Sequence, residues 1–467
     1  MHVGVVGGGI AGVTAALALG RELPGCRVTV LEGGSRIGGK LSVSEVAGVP
    51  VDEGAEALLN RRPEAVALTR EAGLGADLVH PETTSSAIWT RGGVRPLPPT
   101  LMGVPTDLAA LARSGIVSRT GLVRARLDRV LPRSPVRGDA AVGSVVGRRL
   151  GREVRDRLLE PLLGGVYAGH AAELSLRAGV PQLSALADAD RSLLSAAADA
   201  AARSDRAAEG PVFAGICGGV GRLPEAVARA SSAEIRMGAM VRRLERRTDG
   251  WRLVVGPTRD EEVLDVDAVV IAVPAAPAAR LLKPHAAIAA EHLEAIGYAS
   301  VAVVTFAFAR RAVGDRLAGS GFLVPPVDGR SVKAATYSTN KWAWMADADP
   351  DVVIVRTSLG RYAEERDLQR DDVDLAAVAL EDLRAATGIM NPPIDTRVTR
   401  WGGGLPQYHV GHGDRVAAIR SDVAGLPGVA VCGAAYDGLG IAACVASAHA
   451  AATRVAGWLG APGRIGA

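Results

Sequence analysis

Cysteine is scarce in this sequence of 467 residues, and the four cysteines follow no regular spacing. They stand at Cys26, Cys217, Cys432 and Cys444, and no two of them form a C-x-x-C pair. Disulfide frameworks and thiolate metal sites need cysteines at short or repeated spacings. The sequence therefore predicts neither kind of site, and the spacing is typical of a protein from a reducing compartment.

A strong excess of charge and a long apolar run are also missing. The net charge is +3, and no run of cations alternates with aromatic residues, which argues against nucleic-acid binding. No run of about 18 apolar residues is free of glycine and charge, so we expect no membrane-spanning helix. The N-terminal run lacks the basic start of a signal peptide, and we expect a cytoplasmic protein.

Two residue types are notably rare. Aromatic residues make up 3% of the chain, so the few that are present attract attention at a substrate site. The only lysines are Lys40, Lys283, Lys333 and Lys341, and all other basic side chains are arginines. We interpret this preference for arginine as a compositional bias rather than as a site.

Common hydrolase and metal motifs are absent. The sequence contains no H-E-x-x-H, G-x-S-x-G or P-loop motif, which weakens the hypotheses of zinc hydrolysis, serine hydrolysis and P-loop chemistry. His409 and His412 have an i, i+3 spacing that is compatible with a metal, but no third ligand accompanies them. We predict a structural or supporting role for both and for His170, and no metal site.

The features that are present begin at the N-terminus. The chain is too long for one ordinary core, so two or three domains are expected. The strand-like run VGVV leads into GGGIAG and a helix-like segment, which is the context of a dinucleotide-binding turn. Gly7 permits the tight turn, Gly9 lets the backbone approach a diphosphate, and Gly12 allows close packing of helix and strand. The helix N-terminus then faces the phosphates.

The identity of the dinucleotide follows from the next segments. Glu32 ends a second predicted strand, where its carboxylate can accept from ribose hydroxyls and would repel the 2′-phosphate of NADP. RIGGK then places Gly38 and Gly39 between two cations, Arg36 and Lys40. This segment would be a second site at which backbone amides and cations contact phosphate, and such a site favours FAD over NAD. The alternative is that RIGGK is an ordinary solvated loop.

The remaining patterns divide the chain into three parts. Residues 1–80, 211–275 and 425–460 contain the strand and glycine-turn units, and we assign them to one discontinuous FAD-binding domain. Residues 81–99 and 276–424 contain a predicted hairpin and further strands, and we assign them to a substrate-binding domain. Residues 100–210 are helical in pattern. The predicted fold class is α/β, with a discontinuous Rossmann-like FAD-binding domain, a mixed-sheet substrate domain and a helical subdomain.

Part of the helical segment is rich in arginine. Its arginines are Arg113, Arg119, Arg124, Arg126, Arg129, Arg133 and Arg137, with Asp128 as the acidic residue among them. Interleaved apolar residues make the stretch compatible with peripheral contact to an anionic membrane. A solvated helical subdomain is the alternative, and both interpretations stay open.

Several segments together resemble one family, the flavoproteins that oxidise porphyrinogens (protoporphyrinogen and coproporphyrinogen oxidases). GGGIAG, Glu32 with RIGGK, and AVVIAVP resemble the wider group that includes flavin amine oxidases and phytoene desaturases. LLGGVYAGHAAELSLRAGVPQL at 162–183, LPQYHVGH at 405–412 and CGAAYDGLGIAAC at 432–444 resemble the narrower family. The resemblance therefore covers nearly the whole chain.

The resemblance implies a set of residues that contact FAD. They are Gly7, Gly8, Gly9, Ile10, Ala11, Gly12, Glu32, Gly33, Arg36, Gly38, Gly39, Lys40, Gly54, Ala55, Glu56, Ala57, Val241, Trp401, Ala434, Leu439, Gly440 and Ile441. In this assignment Val241 meets the adenine end through its backbone, and residues 54–57 lie beside the isoalloxazine. Trp401 is either a flavin neighbour or an ordinary packing residue.

The resemblance also implies a reduced tetrapyrrole substrate with carboxylate arms. Gly165 matches the glycine whose backbone lies against the reacting meso carbon, where a side chain would block the macrocycle. The substrate-binding candidates are Arg61, Arg62, Val166, Tyr167 and Tyr337, with the two arginines as partners for propionates. Solvent-exposed arginines at a helix start are the alternative for Arg61 and Arg62.

One departure from the family pattern bears on the substrate. Eukaryotic protoporphyrinogen oxidases have an arginine just before the hairpin strand, at the position that we align with Ala87. Its replacement favours the bacterial branch of the family, which oxidises coproporphyrinogen III with four propionates.

The implied activity is oxidation of coproporphyrinogen III to coproporphyrin III in haem biosynthesis. It takes three two-electron steps, with hydride transfer to flavin N5, dioxygen as oxidant and hydrogen peroxide as by-product. Protoporphyrinogen IX oxidation is the main alternative, followed by amine oxidation or carotenoid desaturation, and by a flavin-containing regulator without turnover. Handover of the product to the next haem-pathway enzyme is a further expectation.

Overall fold

The structure is a computed structural model that describes residues 1–132, 134–136, 138–189, 191–207 and 210–461. Arg133 and Arg137 of the arginine-rich stretch lie outside the described residues.

The helices and strands are numbered in chain order. The first are β1 (His2–Val6), α1 (Ile10–Glu22), β2 (Arg27–Leu31), β3 (Val43–Val46), β4 (Val49–Asp52), β5 (Leu58–Leu59), α2 (Pro63–Glu71), β6 (Leu78–Val79), β7 (Ala87–Thr90) and β8 (Gly93–Pro96). Next are β9 (Thr100–Leu101), β10 (Val104–Pro105), α3 (Leu108–Ser114), α4 (Arg119–Arg126), α5 (Val142–Leu150), α6 (Arg152–Val154), α7 (Glu160–Tyr167), α8 (Leu176–Gly179), α9 (Pro181–Ala189) and α10 (Leu193–Ala207).

The second half continues the numbering. It contains β11 (Phe213–Ile216), α11 (Leu223–Ser231), β12 (Glu234–Arg236), β13 (Val241–Arg247), β14 (Gly250–Val255), β15 (Glu262–Val266), β16 (Ala268–Ile271), α12 (Ala275–Leu282), α13 (Ala287–Glu294), β17 (Tyr298–Ala309), α14 (Arg310–Val313) and β18 (Gly321–Leu323). The last are β19 (Val332–Tyr337), α15 (Ser338–Lys341), α16 (Ala343–Ala348), β20 (Val352–Leu359), α17 (Asp372–Thr387), β21 (Asp395–Pro406), α18 (His412–Ala424), β22 (Val429–Val431) and α19 (Ile441–Leu459).

A parallel sheet in the order β12-β2-β1-β16-β22 forms the nucleotide-binding unit. Its strands are short runs of apolar residues, and β16 is buried along its whole length, as expected for a sheet covered on both faces. Helices α1, α2, α11 and α19 pack on one face, and the β13–β15 sheet with α12, α13 and α18 packs on the other. These strands come from the three segments 1–80, 211–275 and 425–460.

A second sheet has the order β21-β17-β20-β19-β18-β7-β8 and is mixed, because β18 and β7 are parallel while the other neighbours are antiparallel. Leu375, Ala379 and Leu383 of α17 pack in the core on one of its faces. One face of the sheet is therefore buried against α17. The strands of this sheet come from residues 81–99 and 276–424.

The helical segment has its own core, which includes Leu111, Leu150, Leu163 and Tyr408. Asp128, the acidic residue of the arginine-rich stretch, is fully buried and binds Arg149 at 2.5 Å. Asp128 thus connects the segment after α4 to Arg149 of α5 and, among the described residues, does not pair with the surface arginines. Within the described residues, no helix combines the length and apolar character that crossing a membrane requires.

Candidate cofactor and substrate site

The dinucleotide turn is tight at two glycines and open at the third. Gly7 has φ +107°, and an added Cβ would lie 2.7 Å from the carbonyl oxygen of Ala272. At Gly12 a Cβ would lie 1.9 Å from the carbonyl oxygen of Gly7, so no side chain fits. At Gly9 a Cβ would meet no heavy atom within 4 Å. The turn is thus closed towards the protein and open where a diphosphate would approach.

Two long helices point uncapped N-termini at this turn. The N-cap residues are Gly9 for α1 and Gly440 for α19, and neither cap has a side-chain hydrogen bond. Gly433, before α19, lies near α1, because a Cβ added to Gly433 would be 3.8 Å from the Cβ of Ala11. Free N–H groups and the positive ends of two helix dipoles together favour an anion.

Glu32 joins the glycine segments around it. One carboxylate oxygen accepts from the amide of Gly8 at 2.7 Å, and the other accepts from the amide of Gly34 at 2.7 Å. The backbone of Glu32 is also bonded to Arg236 and Ala239, which brings the start of β13 and Val241 to the same edge of the sheet. The predicted ribose contact of Glu32 and the predicted adenine contact of Val241 stay predictions.

The RIGGK loop closes onto the dinucleotide turn. The amide of Gly38 donates to the carbonyl of Gly8 at 2.8 Å. The Arg36 guanidinium donates to the carbonyl of Gly39 at 2.7 Å and lies 5.8 Å from the ring centroid of Trp401. Lys40 has no carboxylate within ion-pair distance among the described residues, and burial lowers its pKa. The loop therefore presents a cation without an anionic partner.

The segment 53–57 packs beneath this loop. A Cβ on Gly54 would lie 2.1 Å from the carbonyl oxygen of Lys40, so the close approach requires glycine. The Trp401 indole donates to the carbonyl of Glu53 at 2.9 Å, and Arg356 donates to the carbonyl of Gly54 at 2.7 Å. The structure thus brings Gly54, Lys40, Trp401 and Arg36 together, and their contacts with FAD stay predictions.

Glu56 is bound by protein cations. Its carboxylate pairs with Lys341 at 2.5 Å and with Arg356 at 2.6 Å. Burial would raise the pKa of Glu56, but the two charges and their hydrogen bonds outweigh burial and bring this pKa to about 2. Both carboxylate oxygens are therefore engaged in holding the segment to the second sheet, while Ala55 beside it is exposed.

The three motifs of the narrower resemblance meet at one junction. Gln407 donates to the carbonyl of Tyr167 at 2.8 Å, and the amide of Ser175 donates to the carbonyl of Tyr408 at 2.7 Å. The Tyr408 hydroxyl donates to the carbonyl of Ala434 at 2.7 Å and accepts from the amide of Gly438 at 2.8 Å. These bonds connect the segments at 162–183 and 405–412 to the loop before α19.

Gly165 lies on an open part of α7. It is exposed, and an added Cβ would have the Leu323 side chain, at 3.4 Å, as its single neighbour within 4 Å among the described residues. Val166 beside it is 51% exposed. Ala168, just past the end of α7, shares an apolar cluster with Trp401. The end of the helix that carries Gly165 thus packs in the same cluster as Trp401, and the roles of Gly165 and Trp401 stay predictions.

Two predicted substrate walls are buried. Tyr337 lies in the core between the second sheet and α17, with its ring 6.2 Å from that of Phe322. Tyr167 lies in the helical core and donates its hydroxyl hydrogen to the carbonyl of Gly179 at 2.9 Å. Both rings pack against other side chains, and their contact with a substrate stays a prediction.

The predicted propionate partners have protein partners in this structure. Arg61 donates to Ser204, and Arg62 pairs with Glu64 at 2.7 Å. Ala87 packs against the core shared with α17. The propionate contacts of the two arginines and the argument from position 87 stay predictions.

The histidines have structural partners. His412 is buried, stacks on Tyr408 at 4.0 Å between ring centroids, and has a pKa that burial lowers to about 4. His409 approaches Glu173 at 3.3 Å. His170 bridges Glu160 at 3.2 Å and the carbonyl of Tyr362 at 3.2 Å. In the described parts of the chain no three His, Cys, Asp or Glu residues form a metal-binding group.

Sequence reasoning missed two buried cations near α7. Lys333 and Arg361 are 4% and 6% exposed, and neither forms an ion pair within the described residues. The available signal was the scarcity of lysine, because one of the few lysines lies inside an otherwise apolar strand.

Comparisons with known proteins give consistent results. A model of the family of flavin containing amine oxidoreductases matches residues 10–456. The coproporphyrinogen III oxidase of Mycobacterium tuberculosis is 37% identical over 459 residues, covering 97% of this chain and 96% of that protein. That of Bacillus subtilis is 31% identical, covering 96% and 97%. The structure of an Exiguobacterium protein assigned as a protoporphyrinogen oxidase matches with a TM-score of 0.86 at 29% identity, covering 97% of this chain and 98% of that chain.

Proposed function

The chain belongs to the family of flavin-containing amine oxidoreductases, and from this membership we propose that it is an FAD-dependent oxidase of coproporphyrinogen III in haem biosynthesis. Two full-length relatives that carry this activity in their names support the substrate. The structural observation that supports the proposal most directly is the open backbone at Gly165, on the helix whose end packs with Trp401 beside the cofactor loop.

The residues of the site suit FAD. The open backbone at Gly9 and Gly440 leaves two helix N-termini free for a diphosphate. Lys40 supplies a partly buried positive charge that a diphosphate would offset, and Glu32 supplies an acceptor for ribose hydroxyls. When bound, FAD takes a hydride from a substrate carbon and passes the electrons to dioxygen.

The protein's own contribution to the reaction is mainly positioning. Gly165 leaves room for the edge of a macrocycle, and the exposed side chain of Val166 offers an apolar surface beside it. Trp401 is fixed by its bond to Glu53 and by the Arg36 guanidinium, so it forms a rigid wall. Holding the reacting carbon in place accounts for a large part of the rate in such reactions.

The alternatives differ in what they require. Amine oxidation would favour open aromatic rings around a cationic substrate, but Trp401 lies beside a protein cation, the Arg36 guanidinium, which is 5.8 Å from its ring centroid. Tyr298 lies 5.9 Å from the ammonium of Lys40 and accepts from the amide of Ala275 at 2.9 Å. Protoporphyrinogen IX oxidation uses the same chemistry and is the closest competing function.

A fluorescence assay of the purified protein separates these functions. We expect porphyrin to form rapidly from coproporphyrinogen III and more slowly from protoporphyrinogen IX, with hydrogen peroxide released. A preference for protoporphyrinogen IX would show that this compound, and not coproporphyrinogen III, is the substrate. Bound FAD without porphyrin from either compound would favour a regulatory protein and overturn the enzymatic proposal.

We propose also that the helical segment contacts an anionic membrane surface. Val123, Leu127 and Val130 are 57%, 43% and 69% exposed and follow one another along α4 and the turn after it. Arg119 and Arg126 are exposed on the same segment. Exposed apolar side chains beside cations suit an anionic bilayer surface. The handover of product to a further enzyme stays a prediction.

A further inference from the structure

Lys333 is a buried cation that the fold does not neutralise. Its ammonium donates to the carbonyls of Gly360 at 2.9 Å and Leu359 at 3.4 Å. An ammonium has three donors, so one is left over. Among the described residues no carboxylate lies within 4 Å of it. Burying a charge without a counter-charge costs free energy, which makes this lysine unusual.

The backbone of β19 directs this side chain. Val332 pairs with Leu359 and Ala334 pairs with Ser358, so Lys333 is the extra residue of a β-bulge. A bulge changes the direction of a side chain relative to its strand, and bulges are frequent beside functional sites. In a regular strand the side chain at this position would point in another direction, so the direction of the Lys333 side chain depends on the bulge.

Arg361 is the second cation of the pair. Its guanidinium donates to the carbonyl of Val324 at 3.1 Å, and the amide of Val324 donates to the carbonyl of Lys333 at 2.8 Å. Burial lowers the pKa of Arg361, and burial together with the charge of Arg361 lowers the pKa of Lys333 to about 7. Val324 thus connects the Arg361 side chain to the backbone of Lys333, and the charge of Arg361 acts on the Lys333 ammonium.

The acidic groups nearby have other partners. Glu160 accepts from the amide of Ala171 at 3.0 Å and approaches His170 at 3.2 Å. Glu364 approaches the other nitrogen of His170 at 3.3 Å and is half exposed. Neither carboxylate forms an ion pair with Arg361. The charges of both carboxylates still raise the pKa of Arg361 against the effect of burial, whereas burial and Arg361 both lower the pKa of Lys333.

The pair lies beside the helix that carries Gly165. Val324 follows Leu323, which is the residue against which a Cβ on Gly165 would pack. Arg361 precedes Tyr362, whose amide donates to the carbonyl of Ala168 at 2.7 Å at the end of α7. Both cations are thus held on elements that contact α7.

We propose that Lys333 and Arg361 bind one carboxylate arm of the substrate whose macrocycle lies at Gly165. The inference rests on the proposed function and names residues for it. A carboxylate accepts from several donors at once and would offset one of the two positive charges, neither of which has an ion-pair partner among the described residues. The open donors of Lys333 and Arg361 are the groups that would make these bonds.

The test uses the FAD-loaded protein with Lys333→Met and Lys333→Gln. The glutamine amide can still donate to the Gly360 carbonyl but lacks the charge. We expect the KM for coproporphyrinogen III to rise at least about tenfold in both variants, with kcat at saturation nearly unchanged. The affinity for coproporphyrin III, measured by fluorescence titration without turnover, should fall by a similar factor. Lys283→Met, at an exposed lysine paired with Glu294, is the matched control.

The outcomes separate the two proposals. If the unaltered protein produces no porphyrin, the proposed function fails. If it does, and both variants keep the original KM and product affinity, the carboxylate site is overturned while the function stands. Loss of FAD from both variants would assign Lys333 to folding and would also overturn the inference.

Discussion

The Tyr408 hydroxyl donates a hydrogen bond to the carbonyl of Ala434 at 2.7 Å and so connects the segment after the second sheet to the loop before α19. The same hydroxyl accepts from the amide of Gly438. A buried side chain thus fixes both ends of the loop that leads to a predicted phosphate-facing helix.

Tyr408→Phe is expected to weaken FAD binding. The change removes both hydrogen bonds and leaves a buried amide and a carbonyl unpaired, at a cost of about 1–3 kcal/mol. We expect an increased FAD dissociation constant, measured by release of flavin fluorescence, and a lower Tm. Tyr167→Phe removes one hydroxyl bond inside the helical core and should lower Tm with unchanged FAD affinity. Equal FAD affinities for Tyr408→Phe and the unaltered protein would show that the two hydroxyl bonds do not support FAD binding.

Gly165→Val is expected to stop turnover while FAD stays bound. The open backbone at Gly165 has a single close neighbour, so the valine fits the fold but occupies the proposed place of the macrocycle. The loss of kcat/KM should be about a hundredfold or more, which displacement of a reacting centre can produce. Gly413→Val, at another exposed helical glycine with an open Cβ position, is the control. Full activity of Gly165→Val would remove this glycine from the site.

Glu56 is expected to make the protein sensitive to acid. Its folded pKa of about 2 lies below its usual value of 4.5. The stabilisation is therefore complete above about pH 5 and is lost as the pH falls towards 2. Glu56→Gln should lower the free energy of unfolding at pH 7 by about 3 kcal/mol, because Lys341 and Arg356 keep buried charges. Glu64→Gln, which breaks a surface pair with Arg62, should change it little. Unfolding by urea at several pH values measures both, and parallel pH profiles for Glu56→Gln and the unaltered protein would refute the assignment.

His170 is expected to stabilise the protein at low pH and to lose this effect as the pH rises, which is the opposite of Glu56. Its hydrogen bond to Glu160 raises the pKa of His170 above 6.5. Its contribution is therefore present below about pH 6.5 and is lost as the pH rises through the raised value. His170→Gln should reduce stability at pH 5.5 more than at pH 8.5, by no more than about 1 kcal/mol. His292→Gln serves as the comparison. A larger loss at the higher pH would show that the sign is wrong.

The proposed membrane contact predicts binding to vesicles that contain phosphatidylglycerol. The doubly substituted Leu127→Glu, Val130→Glu protein should sediment less with these vesicles than the unaltered protein, since it loses apolar contact and gains negative charge. Raising the salt from about 0.05 to 0.5 M should weaken binding of both. Val373→Glu, at an exposed valine of α17, is the control. No sedimentation of the unaltered protein at low salt would reject the contact.

The dinucleotide turn was predictable because its causes are local. Gly7, Gly9 and Gly12 are constrained by sterics within a few residues, and the positions of Glu32 and RIGGK follow from the same short unit. The two sheets were predictable in outline because their strands are apolar runs of ordinary length. Val3–Val6 and Ala268–Ile271 lie side by side as expected for a parallel sheet.

The substrate side was less predictable because it depends on register. One extra residue in β19 decides which side chains face α17 and which face the site, and no local pattern reveals that bulge. This is why Lys333, whose partners Leu359 and Gly360 come from another strand end, was not recognised. The resemblance alone suggested Tyr337 as a substrate wall, and no sequence pattern showed that its ring lies in a core.

The order of the strands in the nucleotide-binding sheet has a consequence for synthesis. β1 leaves the ribosome first, but its neighbour β16 follows more than half a chain later, and β22 with α19 comes last. During synthesis the glycine turn after β1 is therefore made long before α19, whose N-terminus is the second one expected to face the diphosphate of the cofactor. We therefore expect flavin capture to be a late event, and a chain that stops before α19 to keep all five strands but leave part of one apolar sheet face uncovered, where proteases and chaperones bind.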